Sequence, residues 1–199
     1  MCRLLETICI EDGQAPLLPY HAARIQRSRY DLLGRQDILD LQLVIAPLLS
    51  LHPRGLFKCR VLYHQRIEKV DILPYQRPQI CSLKKVYDDN VDYAFKYENR
   101  NHLQQLYSQR GNCDDILIIK NGWVTDTYIG NLLLYDGQHW WTPNTELLKG
   151  VQRQYLLDRG IVRTASVREH DLINFQCFRF INALNPFETS EDCDISKIL

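Results

Sequence analysis

The stretch Phe95-Lys96-Tyr97-Glu98-Asn99-Arg100 places a lysine between an apolar, aromatic run and the start of a predicted helix. A lysine at the end of a buried strand is unfavourable, because an ammonium group removed from water is destabilising unless it is paired or neutralised. The same effect lowers the pKa of a lysine, and the neutral amine can act as a nucleophile or form a Schiff base. Lys96 is therefore a candidate catalytic residue. The alternative is a lysine that packs its stem on apolar surface and extends its ammonium into solvent.

The composition is that of an ordinary globular protein. The chain has 199 residues, of which 45% are hydrophobic and 24% are charged, and its formal net charge is zero. This length suffices for one large domain or two small ones. Because the charges balance, no general attraction for nucleic acid or for an anionic membrane is predicted.

The seven cysteines are scattered, and none belongs to a CxxC pair or to a His/Cys group with zinc spacing. No segment reads as a signal peptide or as a span of the bilayer. We therefore expect reduced thiols, mostly buried as small apolar side chains, no metal, and a cytoplasmic protein.

Two halves of mixed structure are predicted, residues 1–88 and residues 89–199. In the first half, strands are expected at 4–10, 56–64, 67–73 and 80–87, and helices at 21–33 and 37–51. In the second half, helices are expected at 99–110, at 151–159 and near 167, and a last strand at 177–183. From Glu188 onward the chain is expected to be polar and loose. The fold class is α+β.

Two hairpins are the firmest local predictions. The first joins strands 115–120 and 123–128 through Asn121-Gly122, and the second joins strands 131–135 and 138–142 through Asp136-Gly137. Both dipeptides favour a two-residue type I′ turn, because Asn or Asp followed by Gly tolerates positive φ at both positions.

Groups suited to a phosphorylated cofactor occur on both sides of Lys96 in the chain. Asp126 puts a carboxylate on the second strand of the first hairpin, and Gly150 opens a helix whose free N–H groups suit a phosphate. Arg24 lies on the first predicted helix, and Asn182 lies at the end of the last strand. An amine, a carboxylate, a phosphate cradle and an arginine are what pyridoxal phosphate (PLP) requires.

In this order and spacing the chain resembles the class IV aminotransferases, the fold-type IV PLP enzymes, over about residues 4–187. The motifs that carry the resemblance are Lys96-Tyr97-Glu98-Asn99, Val124-Thr125-Asp126 with Asn131, Gly150-Val151-Gln152-Arg153, His21 with Arg24, and Asn182-Ala183-Leu184. The last is most similar to the Asn-Ala-Leu of 4-amino-4-deoxychorismate lyases. The resemblance implies two small α/β subdomains with a D-amino-acid aminotransferase-like architecture, shortened at both ends.

The resemblance also implies a role for each site residue. Lys96 is expected to hold PLP as a Schiff base and to move the proton at the α-carbon of the substrate. Asp126 is expected to pair with the protonated pyridine nitrogen, where the family usually carries the longer glutamate. The residues expected to hold the phosphate are Arg24, Val151 and Gln152 through their N–H groups, and Asn182 with Ala183.

A small-molecule amino substrate and a homodimer are implied as well. The leading expectation is a lyase reaction that yields 4-aminobenzoate and pyruvate, because of Asn182-Ala183-Leu184. One alternative is a transaminase for branched-chain or D-amino acids. A second is a non-catalytic member of the family that acts as a binding protein, which Asp126 and the expected shortening motivate.

Overall fold

The computed structural model describes residues 3–199, which form two compact units. Unit 1 combines the described part of Met1–Arg77 with Phe95–Asn99, and unit 2 combines Pro78–Ala94 with Arg100–Leu199. The division therefore differs from the predicted boundary after residue 88. Residues 83–87 pair with a strand of unit 2, whereas Phe95–Asn99 returns to the first strand of unit 1.

Unit 1 is an antiparallel sheet with two helices. Its strands are β1 (Leu4–Glu11), β2 (Leu56–Tyr63) and β3 (Ile67–Pro74), in the order β1-β2-β3, and its helices are α1 (Leu18–Leu33) and α2 (Leu41–Leu51). Both helices begin away from their predicted starts at residues 21 and 37. Pro19 fits the first turn of α1, where a missing N–H is harmless. Asp40 caps α2 by accepting a hydrogen bond from Leu43 N at 3.2 Å.

The core of unit 1 explains why the Lys96 segment belongs to it. Ile8 of β1, Ile25 of α1 and Ile45 of α2 lie in one buried apolar cluster, and Phe95 and Tyr97 pack against this cluster. The two aromatic side chains that flank Lys96 are thus anchored by burial of apolar surface.

Unit 2 contains a mixed eight-stranded sheet. Its strands are β4 (Leu83–Tyr87), β5 (Asp115–Lys120), β6 (Trp123–Thr127), β7 (Asn131–Tyr135), β8 (Trp140–Pro143), β9 (Val162–Ala165), β10 (Cys177–Ile181) and β11 (Cys193–Asp194). The main path runs β11-β10-β7-β6-β5-β4, and β8 pairs with both β7 and β9. The helices are α3 (Asn101–Tyr107) and α4 (Val151–Asp158), with a 3₁₀ turn at Glu169–Asn174. The α+β class is confirmed.

Both predicted hairpins form, but only the first has the predicted turn. Asn121 and Gly122 have φ of 52° and 76°, as a type I′ turn requires. In the second hairpin Tyr135 pairs with Trp140, so the turn is longer than two residues. Asp136 Oδ1 accepts hydrogen bonds from the N–H groups of residues 138 and 139 at 2.8 and 2.7 Å. The type I′ prediction is wrong there because the side chain of Asp136 stabilises a longer turn.

The C-terminal residues belong to the fold of unit 2, and the prediction of a loose tail from Glu188 is wrong. β11 pairs with β10, Ile198 is buried in the core, and Leu199 N donates to Leu83 O at 2.8 Å. Apolar side chains spaced among the polar ones anchor this segment by their burial.

Cys81 and Cys193 form a disulfide with a Cα–Cα distance of 5.1 Å, so the expectation that all thiols are reduced is wrong. Cys9, Cys59 and Cys113 are buried free thiols, as expected. No helix among residues 3–199 is long and apolar enough to cross a membrane. Within the same range, no three or more His, Cys, Asp or Glu side chains are grouped to hold a metal ion.

Candidate active site

Lys96 occupies a defined place in unit 1. Its carbonyl oxygen accepts a hydrogen bond from Leu5 N at 2.9 Å, and Tyr97 forms a bridge with Leu4. The lysine is half-buried. The segment before it is irregular and not the predicted buried strand, so pairing with β1 is what positions the backbone of Lys96.

Glu6 of β1 organises the polar side chains of α1, and the sequence analysis did not identify it. It is 0% exposed and accepts hydrogen bonds from Arg24 Nε at 2.8 Å and Arg24 Nη2 at 2.5 Å. His21 Nδ1 lies 2.6 Å from Glu6 Oε2, the oxygen that also accepts the hydrogen bond from Arg24 Nη2. Burial alone would raise the pKa of Glu6, but Arg24 and His21 hold this pKa at about 2. An acid inside an apolar strand was the overlooked signal, because a buried carboxylate needs cationic partners.

His21 is fully buried beside Glu6. Burial lowers the pKa of His21, and the positive charges of Arg24 and Lys96 act in the same direction, whereas the hydrogen bond and charge of Glu6 oppose this shift. A neutral ring has one N–H, which the Glu6 carboxylate places on Nδ1. Nε2 has no hydrogen-bond partner within the described range.

Arg24, predicted to bind phosphate, is 6% exposed and neutralised by Glu6. Its planar guanidinium is fixed by two parallel hydrogen bonds to one carboxylate. The structure therefore provides an oriented arginine in unit 1, and contact with a phosphate stays a prediction.

Asp126 of β6 is a buried carboxylate in unit 2. Its Oδ2 accepts hydrogen bonds from Leu147 N at 3.0 Å and Leu148 N at 2.9 Å, and its Oδ1 accepts one from Asn131 Nδ2 at 2.8 Å. Burial raises the pKa of Asp126 to about 7 despite these bonds. A carboxylate has about four acceptor positions, so these three donors leave one acceptor position on Oδ1.

Asp126 should make the stability of the cofactor-free protein depend on pH. Its folded-state pKa is raised from 3.8 to about 7, so its proton stabilises the native state below pH 3.8 and this contribution is lost as pH rises through 7. We expect the stability difference between wild type and Asp126→Asn to change by about 4 kcal/mol across this window, at about 1.4 kcal/mol per unit. Urea unfolding at several pH values measures it. The exposed Asp31→Asn is the control, and equal pH profiles for both variants would contradict the prediction.

Gly150 starts α4 where only glycine fits. A Cβ on Gly150 would lie 1.9 Å from Asn131 Oδ1. Asn131 Nδ2 donates to Leu148 O at 3.0 Å as well as to Asp126. The glycine turn, Asn131 and Asp126 therefore form one packed group, described here as the Asp126 cluster.

Gly150→Ala should disturb the Asp126 cluster. We expect a loss of about 1–3 kcal/mol in unfolding free energy, because Asn131 must move away from the added methyl group, together with weaker PLP binding. Gly160→Ala, beyond the other end of α4, is the control, since its Cβ would meet nothing within 4 Å. Gly160→Ala should lower the free energy of unfolding only by the cost of an alanine in the left-handed backbone conformation, about 1–2 kcal/mol. Equal PLP affinity in the two variants would show that the packing of the Asp126 cluster does not affect PLP binding.

The first turn of α4 provides donors for an anion. The N-cap residue Gly150 provides no side-chain hydrogen bond to this helix, and the N–H groups of Val151 and Gln152 have no partner inside the helix by geometry. Gln152 is 3% exposed, and its Nε2 has no hydrogen-bond partner among residues 3–199. Arg153 instead donates to Glu146 and to Pro143 O, both at 2.9 Å, so it braces the turn.

Asn182 forms the turn after β10. Its Oδ1 accepts hydrogen bonds from Leu184 N at 2.8 Å and Asn185 N at 3.0 Å, and its Nδ2 donates to Ile129 O at 3.1 Å. The side chain of Asn182 therefore shapes the turn that contains Ala183. Phosphate contact through this turn stays a prediction.

The predicted site residues are divided between the units. Unit 1 contains Lys96 and Arg24, and unit 2 contains the Asp126 cluster, the α4 N-terminus and the Asn182 turn. The donors and acceptors of unit 2 fit PLP: a buried carboxylate with a remaining acceptor position suits the ring nitrogen, and an uncapped helix N-terminus suits the phosphate.

The chain is similar to known proteins in sequence and in fold. The amino-transferase class IV family model matches residues 74–187. An uncharacterised protein of Haemophilus influenzae is 36% identical over 186 residues, which are 93% of this chain and 99% of the relative. A Haemophilus somnus structure, provisionally described as a 4-amino-4-deoxychorismate lyase, has a TM-score of 0.89 at 35% identity and covers 94% of this chain and 98% of its own. A PLP-bound hypothetical aminotransferase of Mycobacterium tuberculosis is alike in fold alone, with a TM-score of 0.76 at 17% identity over 96% of this chain and 80% of its own.

Proposed function

Because this chain belongs to the class IV aminotransferase family, we propose that it binds PLP and acts on a small amino substrate through Lys96. The observation that carries the proposal is the Asp126 cluster beside the uncapped N-terminus of α4. It combines the acceptor for a ring nitrogen with the donors for a phosphate in one unit. A purely structural role explains Asp126 poorly, because burying a carboxylate without a cationic partner costs stability.

Lys96 is the proposed catalytic residue. PLP, when bound, supplies an electron sink for the carbon that carries the amino group of the substrate. Lys96 Nζ would hold the cofactor covalently, and its amine, once free, would move the proton at the α-carbon of the substrate. Packing of Phe95 and Tyr97 and the hydrogen bond from Leu5 hold its backbone for this role.

Asp126 is proposed to hold the ring nitrogen in its protonated form. A cation at the remaining position on Oδ1 favours the ionised carboxylate and lowers the pKa of Asp126 from its raised value. The donors of Leu147, Leu148 and Asn131 already orient the carboxylate for this charge. Aspartate is shorter than the usual glutamate, so these contacts decide how close the ring nitrogen lies.

The phosphate is proposed to bind to the N–H groups of Val151 and Gln152 and to the turn of Asn182 and Ala183. A helix N-terminus favours a phosphate through its free N–H groups and its dipole. Arg24 adds a guanidinium whose orientation is fixed by Glu6. Because Glu6 neutralises Arg24, the N–H groups of unit 2 carry more of the phosphate affinity than in a site with an unpaired arginine.

The proposed reaction is that of a 4-amino-4-deoxychorismate lyase, with 4-aminobenzoate and pyruvate as products. The Haemophilus somnus structure, at 35% identity, supports it together with Asn182-Ala183-Leu184. The alternative is transamination of branched-chain or D-amino acids, which the aminotransferase fold supports. A non-catalytic binding role is the second alternative. We also propose a cytoplasmic homodimer, on the family resemblance.

Two measurements test the proposal. Borohydride reduction of the PLP-treated protein, followed by peptide mass spectrometry, should place the cofactor on Lys96. Assays with aminodeoxychorismate, and with amino acids plus a 2-oxo acid, should then show release of 4-aminobenzoate and pyruvate without amino transfer. Amino transfer would favour the transaminase. A colourless protein that takes up no PLP would exclude both enzyme functions and favour the binding role.

A further inference from the structure

The turn Tyr128–Gly130 joins β6 to β7 and touches two parts of the proposed PLP site. Asn131, the next residue, donates to Asp126. Asn182 donates to Ile129 O within the turn itself. The conformation of this turn therefore sets the position of both asparagine side chains.

The turn is tightly packed. Thr127 Oγ1 lies 3.1 Å from both the nitrogen and the oxygen of Gly130. A Cβ on Gly130 would lie 2.3 Å from Ile181 O and from the ring of Phe180. A small movement of the turn therefore displaces its neighbours, because packed protein interiors transmit strain.

Arg100, which directly precedes α3, holds the first residue of this turn. Its Nη2 donates to the carbonyl oxygen of Tyr128. Its guanidinium carbon lies 4.3 Å from the centroid of the Tyr128 ring and 5.6 Å from that of Tyr93. One residue thus contacts both the backbone and the ring of Tyr128, through a hydrogen bond and a cation–π interaction.

Asp115 binds the backbone N–H group of Tyr128. It is 1% exposed, and its Oδ1 accepts hydrogen bonds from Tyr128 N at 3.2 Å and Ile116 N at 2.7 Å. Asp115 Oδ2 and Arg100 Nε are buried without partners in the described part of the chain. Burial raises the pKa of Asp115 to about 6, and the charge of Arg100 opposes this rise. Arg100 at the carbonyl and Asp115 at the N–H group therefore hold Tyr128 from both sides of its backbone.

We propose that Arg100 is a positioning residue for PLP binding, which acts through the Tyr128 carbonyl to hold Asn131 and Asn182 in place. Arg100 itself touches no cofactor in this role. The proposal rests on the proposed function, because the significance of Asn131 and Asn182 depends on it.

Arg168 provides a matched control at the other end of β6. It is half-buried like Arg100, donates to the turn carbonyl Asn121 O at 3.3 Å, and lies 3.5 Å from the ring centroid of Trp123. Arg168→Ala therefore removes the same kinds of contact from a turn that holds no site residue.

The test compares Arg100→Ala, Arg100→Lys and Arg168→Ala in PLP affinity by titration and in unfolding by urea. Arg100→Ala should weaken PLP binding about 10- to 100-fold, the range that loss of supporting hydrogen bonds causes at metal sites. Arg168→Ala should change it less than about threefold. Arg100→Lys should recover part of the loss, because an ammonium can donate to the same carbonyl. Equal PLP affinity in Arg100→Ala and Arg168→Ala would overturn the proposal.

Amide hydrogen exchange tests the positioning role without cofactor. Residues 128–131 should exchange faster in Arg100→Ala than in wild type, and unchanged exchange there would overturn the proposal. If wild type binds no PLP while residues 128–131 exchange faster in Arg100→Ala, the proposed function is wrong but Arg100 still stabilises the turn. Should Arg100→Ala not fold, Arg100→Gln and Arg168→Gln replace the pair under the same criteria.

Discussion

Lys96→Ala is expected to lower product formation by about 10³-fold or more, while the free energy of unfolding changes little. The variant loses both the covalent link to PLP and the amine that moves the α-proton, and proton transfer by a positioned group alone contributes about 10²–10⁴-fold. The effect on stability is small because Lys96 is half-buried and its backbone hydrogen bond to Leu5 does not need the side chain.

Steady-state assay of 4-aminobenzoate release measures this loss, and urea unfolding measures the stability. Lys84→Ala is the control, because Lys84 is an exposed lysine on β4 of unit 2. It should keep wild-type activity and borohydride-stable cofactor labelling. Full activity in Lys96→Ala would remove Lys96 from the mechanism.

Glu6→Gln is expected to lower the free energy of unfolding by about 3–5 kcal/mol. The substitution leaves the guanidinium of Arg24 buried without its counter-charge, and breaking a buried ion pair on one side costs about that much. The depressed pKa of Glu6 agrees in sign: the ionised carboxylate stabilises the native state above pH 4.5, and this contribution is lost as pH falls toward 2.

Urea unfolding of Glu6→Gln should be compared with Glu11→Gln. Glu11 also lies on β1 and accepts two hydrogen bonds from Arg77, at 3.1 and 2.6 Å, but its side chain is 44% exposed. An exposed pair contributes about 0–1 kcal/mol, so Glu11→Gln should cost that much at most. Equal costs in the two variants would show that burial does not set the strength of the Glu6 interaction.

Local sequence patterns predicted most of the elements. The hairpin at Asn121-Gly122 follows from backbone preference alone, and the structure has it. The turn at Asp136 and the segment after Glu188 were predicted wrongly for different reasons. Asp136 uses its side chain to stabilise a longer turn, and the C-terminal segment is anchored by contacts with residues distant in the chain, such as Leu83.

The order of motifs around Lys96 was sufficient to predict the family and the fold-type IV architecture, and both are confirmed. The roles of individual residues were less accessible. The sequence predicted that Arg24 binds phosphate. It did not predict the pairing of Arg24 with the buried Glu6, because Glu6 lies on another element. The sequence likewise identified the carboxylate of Asp126, but not the three groups that donate hydrogen bonds to it.

The sequence by itself therefore determined which residue types are available and in what order, because turn preferences, helix ends and motif spacing are local properties of the chain. Only the tertiary structure decided which charges are buried and what neutralises them. Glu6 and Asp126 are both buried carboxylates, yet burial beside a guanidinium leaves the first with a pKa of about 2 and burial among neutral donors raises the second to about 7. That difference arises from desolvation and from the nearest charges, which depend on residues far apart in the chain.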